Sequence, residues 1–165
     1  MKKTKILYVY GYGDSPDSDI FNKLKERLDK TKFEIISDYY AQYSPKEAIY
    51  DINNLIKTNN IDLVIGENLG GYLVTLLDND LQKIIIDPIF NPVYELDEYE
   101  LDGLKIVPDH IIKFYKESEL KPIYNDNICA MFSNTNNYED YKKNINNCHV
   151  YLNVIESIIE QLNNI

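Results

Sequence analysis

Leu63-Val64-Ile65-Gly66-Glu67-Asn68-Leu69-Gly70-Gly71-Tyr72 is the stretch on which the fold turns. It opens on three apolar residues, two of them β-branched, which read as a short strand buried on both faces. The residues that follow, Tyr72, Leu73, Thr75, Leu76 and Leu77, carry the spacing of a helix. Strand and helix are joined by G-x-N-x-G-G with no residues to spare for a loop, so the chain turns sharply at Asn68. A turn this tight strains the backbone of its central residue and admits only glycine two positions away on either side. Gly66 and Gly70 meet that demand. The Asn68 side chain is lifted clear at the end of the strand. The amide of Leu69 stands at the helix start, where N–H groups and dipole favour negative charge.

Working outward, Lys5 to Tyr10 is a second apolar run, closed by Gly11-Tyr12-Gly13-Asp14-Ser15-Pro16. Ser18 is placed to cap a helix that buries Ile20, Phe21, Leu24 and Leu28. Phe33 to Tyr39 reads as a strand. Ser44-Pro45-Lys46-Glu47 reads as a capping box with proline at the first helical position, ahead of a helix that buries Ala48, Ile49, Ile52, Leu55 and Ile56. Downstream, Lys83 to Ile86 is a strand ending at Asp87-Pro88, and Ile128 to Phe132 is another. Val154, Ile155, Ile158, Ile159 and Leu162 mark a last amphipathic helix. Strands alternating with helices predict an α/β fold, a three-layer α/β/α sandwich with a mostly parallel sheet. Residues 88–126 hold four of the six prolines. They read as a short irregular insertion over the sheet's carboxyl edge, in the position of a lid, with at best a short helix from Ile111 to Lys116.

At 165 residues and 44% hydrophobic content, the chain is expected to form one domain around one core. A net charge of −10 argues against nucleic-acid and anionic-membrane partners, which an acidic surface repels. Only Cys129 and Cys148 occur, and the sequence holds no apolar stretch of membrane-spanning length, so the expected location is cytoplasmic, with reduced thiols. Two histidines, two cysteines and scattered carboxylates give no metal-ligand spacing. Gly11-x-Gly13 would begin a dinucleotide fingerprint, but the third glycine position is Pro16. No cofactor is expected.

Taken in order, Tyr10-Gly11-Tyr12-Gly13-Asp14-Ser15-Pro16, Gly66-Glu67-Asn68-Leu69-Gly70-Gly71-Tyr72 and Asp87-Pro88 resemble the small bacterial α/β-hydrolase-type esterases of the YqiA kind. In that family the first strand ends in a His-Gly-Phe loop with Ser-Pro. The elbow reads Gly-x-Ser-Leu-Gly-Gly-Tyr, and an Asn-Pro follows the next strand. The likeness covers about the first 95 residues and resumes near Asn134-Thr135-Asn136-Asn137-Tyr138-Glu139-Asp140-Tyr141, where the family has Thr-Gly-Asp-Glu and then Asp-Tyr.

The resemblance implies an α/β-hydrolase fold and a serine-esterase site, and the departures fall on the chemistry. Asn68 stands at the nucleophile position, where a carboxamide offers no ionisable hydroxyl. Asn136 stands at the acid position, where it cannot stabilise an imidazolium by charge. Tyr10 replaces the loop histidine. His149 lies just before the last helix, where the family's catalytic base is expected, although the strand that should precede it reads as missing or compressed. The oxyanion and pocket candidates are Leu69, Tyr12, Gly11, Tyr10, Ser15 and Glu67. Glu67 would serve as an acid or base only if buried, and Ser15 also reads as a hydrogen-bonding residue of its turn.

Three functions are then open. The chain is a diverged member that binds a small molecule or protein partner, or a hydrolase using a carboxylate, Ser15 or Cys148 as relocated nucleophile. As a third option it is a structural or regulatory subunit associating through the Tyr-rich stretch around Tyr94 to Tyr99.

Overall fold

The computed structural model describes residues 2–164. The elements run β1 (Thr4–Val9), α1 (Asp19–Arg27), β2 (Phe33–Ile36), α2 (Pro45–Asn59), β3 (Leu63–Glu67), α3 (Leu69–Thr75) and β4 (Gln82–Ile86). Then come α4 (Pro92–Asp97), β5 (Glu100–Leu101), β6 (Leu104–Lys105), α5 (Asp109–Glu117), β7 (Ile128–Phe132), α6 (Tyr138–Lys142), β8 (Asn147–Val150) and α7 (Val154–Asn163).

Six strands form one sheet in the order β2-β1-β3-β4-β7-β8, every pair parallel. The continuous apolar runs anticipate this arrangement, because helices cover both faces and leave no side of a central strand for polar residues. Ile6 to Val9, Leu63 to Ile65 and Ile84 to Ile86 are all buried. Among the helices, α1 packs against α7 and α2 against α3. Each turns a narrow apolar stripe inward: Phe21 and Leu24 from α1, Ala48 and Ile52 from α2, and Val154, Ile158 and Leu162 from α7.

From β1 the chain winds outward to β2, and from β3 it winds the other way to β4. The loops leaving β1 and β3 therefore diverge between adjacent strands and open a crevice at their carboxyl ends, the place where α/β sheets bind ligands.

The local expectations hold in part. The Ser18 side chain accepts from Phe21 N and caps α1. Ser44 sits at the N-cap of α2 without a side-chain cap, and Glu47 accepts instead from the Tyr43 hydroxyl at 2.5 Å, so the capping box is not formed. Strand β2 stops at Ile36, three residues short of Tyr39, because only Phe33 to Ile36 have a partner in β1. Helix α3 begins at Leu69 and carries Gly70 and Gly71 in its first turn.

The stretch between β4 and β7 is more ordered than its prolines suggest. Pro92 and Pro108 start helices there, Pro92 at the first turn of α4 and Pro108 as the cap of α5. Between them Asp102 (φ 54°) and Gly103 (φ 75°) make the tight turn of the β5–β6 hairpin. The strand read as missing ahead of His149 is present as β8, and it contains His149.

Candidate functional site

At Asn68 the backbone adopts φ 52°, ψ −117°, a region costly for any residue with a side chain and one that asparagine tolerates better than most. Packing forces it. A Cβ on Gly66 would lie 2.6 Å from Gly70 O, and one on Gly70 would lie 2.1 Å from Val9 O. Both clashes are with backbone, so neither can be relieved by a rotamer. Gly11 closes the other side, since a Cβ there would come within 3.2 Å of Asn68 Cβ. Hydrogen bonds fix the turn further. Asn68 N donates to Ile86 O at 2.9 Å, and Asn68 O accepts from Tyr72 N and Ile89 N at 3.1 and 3.3 Å.

The Leu69 amide donates to Asn68 Oδ1 at 2.9 Å. The elbow residue thus caps its own helix, and the donor expected to hold an oxyanion is occupied from within.

Two adjoining cavities open at Asn68. One, about 260 Å³, is walled by Tyr12, Tyr94, Tyr99 and Leu96 with Glu98 at its side. The other, about 170 Å³, is lined by Asp87, Asn134, Asn136 and Asn137. Asn68, Ile89 and Glu95 belong to both. The structure thus brings Asn68, Asn136 and Tyr12 together, with Gly11 pressed against the turn. No serine, cysteine or histidine lines either cavity among the described residues.

The remaining candidates lie elsewhere. Tyr10 is buried, its ring 4.9 Å from that of Tyr40, whose hydroxyl donates to Tyr10 O at 2.6 Å. It belongs to the core and lines no cavity at Asn68. Ser15 takes its turn role: its Oγ accepts from Asp17 N at 3.3 Å. His149 lies on the edge strand with its ring exposed and its Nε2 2.8 Å from Asn147 Oδ1. Cys148, its neighbour, is buried, as expected where successive residues of a strand face opposite ways. Burial raises the Cys148 thiol to about 11, so little thiolate forms near neutral pH.

Glu67, read as an acid or base only if buried, is withdrawn from solvent in large part. It accepts a hydrogen bond from the Tyr8 hydroxyl. Burial holds its carboxyl above the ordinary range, and the charges of Asp14, Asp87 and Asp19 push the same way, while the Tyr8 hydrogen bond opposes them. Burial, then the charge of Glu67, raises the Tyr8 phenol as well.

Sequence reasoning overlooked Asp87, Glu95, Asn134 and Asn137 as site residues. Asp87 has φ 40°, and its carboxylate accepts from Ser133 N and Ser133 Oγ, both at 2.7 Å. Glu95 Oε1 accepts from Phe90 N and Asn91 N, and its Oε2 from Asn137 Nδ2. For Asp87 a signal was available: an acidic residue at the carboxyl end of the strand next to the elbow strand faces the crevice. Glu95 shows no such sign, because only the packing of α4 brings it to Asn68.

The uncharacterised protein family UPF0227 matches residues 5–161 of the chain. No curated protein matches it. Among solved structures it is similar to Est1E from Butyrivibrio proteoclasticus with ferulic acid bound, at TM-score 0.75 and 11% identity, over 98% of this chain and 88% of that one. Alpha/beta hydrolase domain-containing protein 10 from mouse follows at TM-score 0.68 and 13% identity, over 91% and 79% of the two chains. An esterase from Exiguobacterium antarcticum gives 0.58 and 12%, over 96% and 90%. These likenesses identify the fold as that of the α/β-hydrolases.

Proposed function

Because the chain belongs to the uncharacterised family UPF0227 and has the α/β-hydrolase fold, we propose that it is an esterase-like member without serine-hydrolase activity that binds a small molecule at Asn68. The observation that carries this reading is the 2.9 Å hydrogen bond from Leu69 N to Asn68 Oδ1. Serine hydrolysis at an elbow needs a nucleophile at the tip and a vacant donor behind it. Here one carboxamide replaces the first and occupies the second. Loss of a single oxyanion donor costs such an enzyme about 10²–10³ in rate. Loss of the nucleophile or its histidine leaves only about 10³–10⁴ over water, from binding and from the oxyanion hole, whose helix-start donor is filled here.

Binding is supported by the two cavities, which keep Asn68 accessible from the crevice at the carboxyl edge. Two exposed polar side chains, Asn134 and Asn136, line the smaller cavity with it. Hydrolysis by a carboxylate is the second reading, favoured by Asp87 lining a cavity with Asn68. Against it, Ser133 holds both Asp87 oxygens.

Hydrolysis of p-nitrophenyl acetate by wild type, Asn68→Ser, Asp87→Asn and His149→Ala tests both. All four are expected to match the blank, Asn68→Ser included, since no histidine lines the cavities to activate the new hydroxyl. A wild-type rate that His149→Ala or Asp87→Asn abolishes would overturn the reading and identify the working group.

A further inference from the structure

We propose that the ligand of the Asn68 site is an organic cation attached to a flat apolar group, an inference that rests on the binding reading above. Three carboxylates, Asp87, Glu95 and Glu98, line the two cavities, and no lysine, arginine or histidine does so among the described residues. None of the three takes part in an ion pair among the described residues. The cation nearest in chain to Glu98, Lys105, is engaged with Asp97 and with Asp109 at 2.7 Å. Glu98 is exposed, and Asp87 and Glu95 take hydrogen bonds only from neutral donors among the described residues, so a positive charge brought to the site meets three carboxylates without a counter-ion there.

The aromatic walls add a second preference of the same sign. Tyr12 and Tyr99 meet edge to face at 6.4 Å and 85°, and Tyr94 completes the wall. Ring faces attract cations through their quadrupoles, most effectively alkylated ammonium groups with little water to shed. Carbonyl oxygens of the asparagine amides in the smaller cavity can accept from an ammonium or amidine N–H. A carboxylic acid, by contrast, would bring a negative charge among three others. The ferulic acid held by Est1E is therefore the kind of ligand this site disfavours, in spite of the common fold.

Three probes of one ring and different charge test the inference: benzyltrimethylammonium, benzyl alcohol and benzoate, titrated into the full chain and followed by the Asn68 and Tyr99 amide signals in NMR. The cation is expected to bind about tenfold more tightly than the alcohol, and benzoate least. Glu98→Gln and Tyr99→Leu are the matched variants; Glu98 is exposed and forms none of the side-chain hydrogen bonds or ion pairs of the described residues. Each is expected to weaken the cation severalfold and leave the alcohol unchanged. If the alcohol binds as well as the cation, with shifts at Asn68, the cation inference falls and the binding reading stands. If the cation shifts signals remote from Asn68 and neither variant affects it, it is reading only the acidic surface, and the inference falls. If no probe moves the Asn68 signal at millimolar concentration, both fall.

Discussion

The β3–α3 turn and the β7–β8 edge meet at the same end of one sheet, and they treat their sequence-predicted residues differently. At the turn every backbone requirement is met, from the left-handed φ of Asn68 to the close approach of Gly70 to Val9 O. Along β7–β8 the candidates separate: Asn136 reaches the cavity, while His149 sits on β8 beside Asn147. The turn is demanded by packing, since strand and helix cannot join without it whatever side chain stands at the tip. The meeting of acid, base and nucleophile is demanded by chemistry alone. A fold can therefore keep the first without the second.

The sharpest way to break this comparison is Gly70→Ala. Its Cβ would lie 2.1 Å from a carbonyl oxygen inside the sheet. The expected loss is at least about 3 kcal/mol of unfolding free energy, or failure to fold. Gly13→Ala, with positive φ but open space, is the control at about 1 kcal/mol. Denaturant titration of both decides the matter. Equal, small losses would mean that packing does not dictate the turn.

A smaller effect is expected at Glu67, on the strand that leads into the turn. Its folded pKa is raised above the ordinary 4.5, so the stability it contributes is complete below that value and is lost as pH rises through the elevated folded pKa. Glu67→Gln keeps an acceptor for the Tyr8 hydroxyl and removes the charge. Denaturant midpoints taken from about pH 4 to pH 8 should fall less steeply in the variant than in wild type. A steeper fall would show that the carboxylate is stabilised by its surroundings. The smallest effect belongs to the edge: His149→Ala should change stability by less than about 0.5 kcal/mol and leave probe binding at Asn68 untouched. Lost binding would bring His149 back into the site.

Much of this was legible residue by residue. Gly66-x-Asn68-x-Gly70 predicted the turn because its steric rule is local, spanning five residues. The buried strands could be read because apolar runs record how many faces are covered. Ser18 could be read as a cap because it needs only its own helix. The Ser44 capping box failed because Tyr43 competes for Glu47. Residues 88–126 were hard to read because proline marks a helix start and a loop equally well, and here it starts α4 and caps α5.

By itself the sequence determined the parallel α/β fold, the strained turn and the carboxamide at its tip, since each follows from neighbouring residues and the periodicity of one strand or helix. Only the tertiary structure decided that Tyr10 belongs to the core, that Glu67 is bonded to Tyr8 and partly withdrawn from solvent, and that Asp87, Glu95 and Asn137 surround Asn68 while His149 stands apart. Those outcomes depend on contacts between residues far apart in the chain, set by the order in which six strands lie side by side.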